Sequence, residues 1–160
     1  MPDEQSWETA RKNMVNNQLF TNKLTDDQIA RAFLSVPREK FVPKLLQSVA
    51  YIDEGIDLGN NRILIEPVAF ARLIQAAKIV STDIVLDIAC ANGYSSAILA
   101  QLAATVVGLE TDEDTIIAAE TKLAELHIDN VAVVKGDLAA GYEEQGPYDC
   151  IFVNGAVEIC

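Results

Sequence analysis

The sequence predicts an α/β protein with a parallel sheet covered by helices. Short apolar runs alternate with helical patterns from Ile84 onward. The runs are apolar at consecutive positions, which is typical of strands buried on both faces. The chain has 160 residues, of which 50% are hydrophobic, enough for one well-filled core. We therefore expect a Rossmann-like core in a single domain, residues 1–160, with an N-terminal helical region over residues 1–80.

The N-terminal region contains two predicted helices and a segment without clear periodicity. In "TDDQIARAFLSVPREKFVP", Thr25 and Asp26 are candidate N-caps of a short amphipathic helix that ends before Pro37. Pro67 suits the first position of the helix "PVAFARLIQAAKIV". Between them, "AYIDEGIDLGNNRILIEP" is rich in turn-forming residues and is predicted to be irregular.

The second part of the chain, residues 81–160, carries four predicted strands and two helices. The strands are "IVLDIA", "TVVGLE", "VAVVKGD" and "DCIFVNGA", and the helices are "YSSAILAQLAA" and "DTIIAAETKLAELHI". Strands joined by helices form parallel sheets with helices on both faces. The sequence thus predicts a sheet that is truncated after about four strands.

Charge and cysteine usage exclude several classes of function. The 24 acidic residues outnumber the 12 basic ones, so a nucleic-acid partner, which needs a basic surface, is not expected. Cys90, Cys150 and Cys160 are widely separated and there is one histidine, His127, so neither a disulfide framework nor a metal site is expected. No apolar run is long enough for a membrane span, and no signal peptide is recognised. We expect a reduced, metal-free protein of the cytoplasm.

Ligands of such sheets bind at the carboxyl ends of the strands. At the end of the first strand, Asp87 precedes small residues at alternate positions, Ala89, Ala91 and Gly93, in the pattern D-x-A-x-A-x-G. Small residues there allow a ligand to approach the backbone while the loop turns into a helix. The pattern predicts a ligand-binding loop.

Acids follow the next two strands. Glu110 can accept hydrogen bonds from both hydroxyls of a ribose, and Asp137, after Gly136, can accept one from an adenine amino group. Together these ends predict a nucleoside pocket. A dinucleotide loop reads G-x-G-x-x-G, whereas this loop lacks that spacing and carries Asp87, whose charge would repel a pyrophosphate. The sulfonium of S-adenosylmethionine suits it better than the cofactor of a nicotinamide dehydrogenase, which is the alternative.

Longer motifs resemble a known family. "VLDIACANGYSSAILAQLA", Glu110, "VVKGDLAAGY" and "PYDCIFVNGAV" are similar to successive motifs of class I S-adenosylmethionine-dependent methyltransferases. Upstream, "MVNNQL", "VPREKFVP" and "AYIDEGIDLG" before a helix that begins with proline resemble protein-L-isoaspartate O-methyltransferases, which methylate isomerised aspartate residues of damaged proteins. The likeness runs from about Met14 to Val157.

The resemblance implies a role for each site residue. Residues 81–160 would form the S-adenosylmethionine-binding core, and residues 1–80 would lie on the side of the substrate, a protein or peptide carboxylate. No catalytic side chain is implied, because methyl transfer is a direct displacement governed by positioning. Glu110 would hold the ribose, Gly136 and Asp137 the adenine side, and the methionine part would contact Asp87, Ala89, Cys90, Ala91, Asn92 and Gly93.

Three departures from the family pattern leave alternatives open. Alanines replace glycines at Ala89 and Ala91, which is compatible with binding if φ stays negative and otherwise lowers cofactor affinity. Ile65 stands where the family has a serine implicated in the active site, so either other groups hold the substrate or the acceptor differs. The family also continues beyond a fourth strand. A degenerate member with a binding role only is the non-enzymatic alternative.

Overall fold

A computed structural model describes residues 2–156. The N-terminal region is helical, as predicted, and the Asp26 carboxylate caps the helix Asp27–Ser35 by accepting hydrogen bonds from the backbone N–H groups of Gln28 and Ile29. This capping confirms one of the two candidate N-caps. The helical segments up to β1 are α1 (Glu4–Met14), a π-helical turn (Val15–Leu19), α2 (Asp27–Ser35) and 3₁₀ turns at Phe20–Asn22, Arg38–Phe41 and Lys44–Val49.

The segment predicted to be irregular instead contains a β-hairpin. Strands β1 (Ile56–Gly59) and β2 (Arg62–Leu64) pair antiparallel. Asn60 and Asn61 connect them with φ values of 52° and 55°. Asparagine tolerates this left-handed conformation, so the chain reverses within two residues. The prediction of an irregular segment was wrong because its turn residues serve a hairpin.

Four parallel strands form the central sheet. They are β3 (Ile84–Ile88), β4 (Thr105–Glu110), β5 (Val131–Lys135) and β6 (Cys150–Val153), in the spatial order β5-β4-β3-β6. Helices α3 (Pro67–Ala77), α4 (Tyr94–Ala100) and α5 (Glu113–Glu125) precede β3, β4 and β5, respectively. The structure therefore confirms the predicted α/β class and the parallel four-stranded sheet. It also brings the carboxyl ends of β3, β4 and β6 together at one edge.

One hydrophobic core joins the N-terminal region to the sheet. Phe33 of α2 packs edge-on against Phe70 of α3 with ring centroids 5.6 Å apart, and Phe70 packs in turn against Phe152 of β6 at 5.3 Å. Burying such rings contributes both area and ring–ring attraction. The packing fixes the hairpin, which lies between α2 and α3 in the chain, beside the sheet. Within residues 2–156, no helix has the length and hydrophobicity that a membrane crossing requires.

Candidate functional site

The carboxyl ends of the strands open into a cleft of about 660 Å³. This volume is in the range that small-molecule sites occupy. This cleft, the acceptor cleft, lies between the hairpin, the loop after β3, the segment after β5 and the end of β6. Its lining is mostly apolar and consists of Asn61, Arg62, Ile63, Ile88, Ala89, Leu138, Ala139, Val153, Asn154, Gly155 and Ala156.

The loop after β3 has the left-handed backbone that glycines would supply. The φ angles are 61° at Ala89, 50° at Ala91 and 94° at Gly93. Negative φ was the condition under which the two alanines would be compatible with cofactor binding, and this condition is not met. For residues with a Cβ this conformation costs roughly 1–2 kcal/mol each. The loop is nevertheless held in place, since the N–H groups of Ala89 and Cys90 donate to the carbonyl of Leu109.

Cys90 is a packing residue of this loop in the described structure. Its side chain is buried against β4, where a Cβ added to Gly108 would lie 2.9 Å from the Cys90 Sγ. The glycine is thus needed for the close approach. Burial raises the pKa of the Cys90 thiol well above its usual value, so the reactive thiolate is suppressed.

Asp87 lies behind the loop and is fully buried. Its Oδ2 accepts hydrogen bonds from the hydroxyls of Ser95 and Ser96, both at 2.6 Å, and its Oδ1 has no partner within residues 2–156. Burial raises the pKa of Asp87 to about 7, although the two serine hydrogen bonds oppose this shift. Asn154, at the end of β6, donates from Nδ2 to the Ser95 Oγ at 3.1 Å. This network joins the ends of β3 and β6 to the start of α4.

Glu110 is the most tightly held acid of the site. Oε1 accepts hydrogen bonds from Arg62 Nε at 2.6 Å and from the Ala91 N–H at 2.9 Å. Oε2 accepts from Arg62 Nη2 and from the Thr111 N–H, each at 2.9 Å. Burial opposes ionisation, but these donors hold the pKa of Glu110 below its usual value. The carboxylate is therefore ionised and fully hydrogen-bonded.

The remaining predicted site residues lie around this centre. Asn92 lines a smaller cavity of about 240 Å³ beside the hairpin and donates from Nδ2 to the Phe41 carbonyl. The Gly136 N–H donates to the carbonyl of Glu110. Asp137 is exposed, and its Oδ1 accepts from the Ala139 N–H at 2.9 Å. The roles assigned to these residues toward the cofactor stay predictions.

Two polar residues of the site had not been predicted. Asn154 lies in the "NGA" that follows the fourth predicted strand, and its Oδ1 is buried without a hydrogen-bond partner in the described part of the chain. Arg62 lies 48 positions before its partner Glu110, too far for any local pattern to connect them. The one available signal was that Arg62 is the sole cation between Tyr51 and Pro67.

Ile65 belongs to the hydrophobic packing of the protein. Its side chain is half-buried and packs against the hydrophobic core, and it does not belong to the lining of the acceptor cleft. Its carbonyl accepts a hydrogen bond from Nη2 of the buried Arg38 at 2.9 Å. The position therefore contributes packing and a backbone acceptor.

Known proteins resemble the chain over nearly its whole length. Residues 9–159 match the family model of protein-L-isoaspartate(D-aspartate) O-methyltransferase (PCMT). Protein-L-isoaspartate O-methyltransferase 2 of Anaeromyxobacter sp. (strain Fw109-5) is 35% identical over 94% of the chain, which spans 62% of that relative. The protein-L-isoaspartate O-methyltransferase of Methanoculleus marisnigri (strain ATCC 35101 / DSM 1498 / JR1) is 36% identical over 91% of the chain, which spans 66% of it. The chain thus spans less than two thirds of the length of both relatives.

Solved structures agree with this similarity. A protein-L-isoaspartate O-methyltransferase superposes with a TM-score of 0.79 and 30% identity, covering 89% of this chain and 47% of that one. A putative protein-L-isoaspartate O-methyltransferase from Plasmodium falciparum, solved in complex with S-adenosyl-L-homocysteine, has a TM-score of 0.75 and covers 94% of this chain and 75% of that one. At 20% identity this second likeness concerns the fold alone. From the family match and the identity to its relatives, the chain belongs to the protein-L-isoaspartate O-methyltransferase family.

Proposed function

We propose that the chain binds S-adenosylmethionine and transfers its methyl group to a carboxylate of isomerised aspartate residues in damaged proteins. The observation that carries this proposal is the position of Glu110. An ionised, buried carboxylate stands at the end of β4 next to the loop of Ala89–Gly93. Carboxylates placed after the second strand of such sheets accept hydrogen bonds from ribose hydroxyls.

The residues of the site suit this cofactor. The acceptor cleft has room for a small molecule, Ala89 supplies a small side chain at its wall, and the polar Asp87 Oδ1 and Asn154 Oδ1 have no partner among the described groups. Buried polar atoms without partners mark places where a ligand or water can donate. Acidic side chains at the strand ends, such as Glu110, would repel the pyrophosphate of a nicotinamide dinucleotide and so favour a cationic sulfonium.

Methyl transfer requires mainly that the methyl donor and the acceptor carboxylate are correctly oriented. S-adenosylmethionine supplies a methyl group on a positively charged sulfur, so that an acceptor carboxylate oxygen forms the new O–C bond while the S–C bond breaks and its electron pair stays on sulfur. The loop after β3 and Glu110 would hold the nucleoside and methionine parts, and the apolar walls of the cleft would exclude water. Alignment of donor and acceptor is the main contribution of the protein to such a displacement.

A second candidate function keeps the cofactor and changes the acceptor. It is favoured by Ile65, which stands at the serine position of the family, packs on the core and offers no hydroxyl to a substrate. In that case the acceptor would be a small molecule or an unmodified protein carboxylate.

Calorimetry with S-adenosylmethionine and S-adenosylhomocysteine tests cofactor binding directly. We expect both to bind to the 160-residue chain and NAD not to bind at the same concentration. If neither adenosyl compound binds, the proposed function is wrong. If NAD binds instead, the dehydrogenase alternative replaces it.

The acceptor is tested with radiolabelled S-adenosylmethionine and a pair of synthetic peptides of equal sequence. One contains isoaspartate and the other contains aspartate. We expect methyl incorporation into the isoaspartyl peptide only. Cofactor binding without methylation of this peptide would favour the second candidate function.

We also propose that the protein works in a reducing cytoplasm without a nucleic-acid partner. The unpaired Cys90 and Cys150 thiols and the formal charge of -12 support this view. Localisation of a tagged chain by microscopy, with fractionation as a second readout, would test it.

A further inference from the structure

Arg62 donates to the oxygens of Glu110 that the hydroxyls of a ribose would need as acceptors. The guanidinium makes two parallel hydrogen bonds to Glu110, at 2.6 Å from Nε and 2.9 Å from Nη2. The backbone N–H groups of Ala91 and Thr111 take the other acceptor positions. Two carboxylate oxygens offer about four acceptor positions, so Glu110 has no free position for a ribose hydroxyl.

Of these four donors, the two from Arg62 are the ones that can leave. Ala91 and Thr111 donate from the main chain next to β3 and β4, whereas Arg62 reaches across from the hairpin. The Arg62 side chain is 17% exposed and the Glu110 side chain 1%, so the arginine side chain keeps some access to solvent while that of the glutamate does not. Binding of a nucleoside to Glu110 therefore requires Arg62 to move.

Arg62 already forms part of the wall of the acceptor cleft. Arg62 lines both the smaller cavity beside Asn92 and the acceptor cleft beside Ala89. Among the described residues that line the acceptor cleft, it is the one with a charged side chain. Guanidinium groups bind carboxylates with directed hydrogen bonds, and Ile65 offers no such donor.

We propose that Arg62 is the acceptor-binding residue of this chain and that cofactor binding releases it from Glu110 to hold the substrate carboxylate. The inference rests on the proposed function and names the group that replaces the serine of the family. One carboxylate oxygen is held by the guanidinium, and the other is free to attack. The methyl ester that forms is neutral, so its attraction to Arg62 falls and release of the product is favoured.

The first test is S-adenosylhomocysteine binding by Arg62→Gln, measured by calorimetry against the unmodified chain. Glutamine is neutral and keeps a polar side chain at this position. We expect the variant to bind about tenfold more tightly, because the competing ion pair no longer reduces the fraction of binding-competent protein. Equal or weaker binding in a variant with an unchanged thermal unfolding midpoint would overturn the inference and leave the proposed function intact.

The second test separates substrate binding from turnover on the isoaspartyl peptide. For Arg62→Gln we expect KM for the peptide to rise at least about tenfold without a loss in kcat, because the guanidinium binds the charged substrate at least as strongly as the transition state, in which the carboxylate charge is partly lost. Arg62→Lys keeps the charge, so its KM should stay closer to that of the unmodified chain. An unchanged KM in Arg62→Gln would show that Arg62 does not hold the acceptor.

A purely structural role of Arg62 gives a different pattern. Both variants would then lose thermal stability and bind S-adenosylhomocysteine more weakly, with no selective change in KM. Failure of the unmodified chain and of both variants to bind S-adenosylhomocysteine would contradict the proposed function and this inference with it.

Discussion

Arg62 and Glu110 form a bidentate ion pair although 48 positions separate them in the chain. The pair connects the hairpin to the end of β4, and the Glu110 side chain is 1% exposed. Hydrogen bonds of this kind combine charge with fixed geometry and exceed neutral ones in strength. The hairpin is thus held over the site by the same carboxylate that the cofactor would use.

Glu110→Gln is expected to abolish detectable S-adenosylhomocysteine binding and to destabilise the chain. Removal of one partner of a buried charge pair costs about 2–5 kcal/mol, and we expect the low end because Arg62 can turn to solvent. Chemical denaturation measures the free energy of unfolding. Glu113→Gln is the matched control, because it breaks an exposed pair with Lys135 and should change stability by less than about 0.5 kcal/mol. Equal effects of both substitutions would contradict the importance of the buried pair.

Ala89→Gly should stabilise the protein. At a φ of 61° the alanine is strained, and glycine removes this strain. Because glycine also gives the unfolded chain more conformational entropy, the net increase in the free energy of unfolding should be about 0.5–1 kcal/mol. Ala124→Gly, in the exposed face of α5, should instead cost about 0.5–1 kcal/mol. Urea unfolding of the two variants gives the comparison, and a loss of stability in Ala89→Gly would show that the loop is not strained there.

Asp87→Asn should flatten the pH dependence of stability between about pH 4 and pH 7. The folded-state pKa of Asp87 is raised by burial to about 7 from 3.8, so in this range the folded state binds the proton that the unfolded state has released. The free energy of unfolding therefore falls as pH rises through this window. Denaturation at pH 5 and pH 8 should show the variant losing less stability than the unmodified chain, and identical losses would mean that Asp87 ionises normally.

Ile65→Ser is expected to lower the free energy of unfolding by about 1–3 kcal/mol, because the half-buried side chain packs on the core. Ile63→Ser, at a side chain that is 58% exposed, should have a much smaller effect. Methylation of the isoaspartyl peptide by the folded fraction of Ile65→Ser provides the functional comparison. Since Ile65 does not line the acceptor cleft, we expect at most a small increase in methylation activity. A large increase would show that a serine at this position binds the substrate.

The amino-acid sequence was sufficient for the parts of the fold that depend on local pattern. Consecutive apolar residues predicted the strands that end at Ile88 and Glu110, since burial on both faces leaves that signature. Asp26 was recognised as a cap candidate because capping acts within three residues. The position of Glu110 at the end of a strand likewise followed from its place after an apolar run. The resemblance to family motifs predicted that residues 81–160 form the core.

The tertiary structure decided what depends on contacts between distant segments. The positive φ of Ala89 and Ala91 follows from the anchoring of the loop to Leu109, which lies on another strand. The hairpin was missed although its turn is local, because its strands Ile56–Gly59 and Arg62–Leu64 are too short to show a clear alternating pattern. The contact between Arg62 and Glu110 arises only when α2, α3 and the sheet share one core, because long-range packing alone brings the two charges within hydrogen-bonding distance.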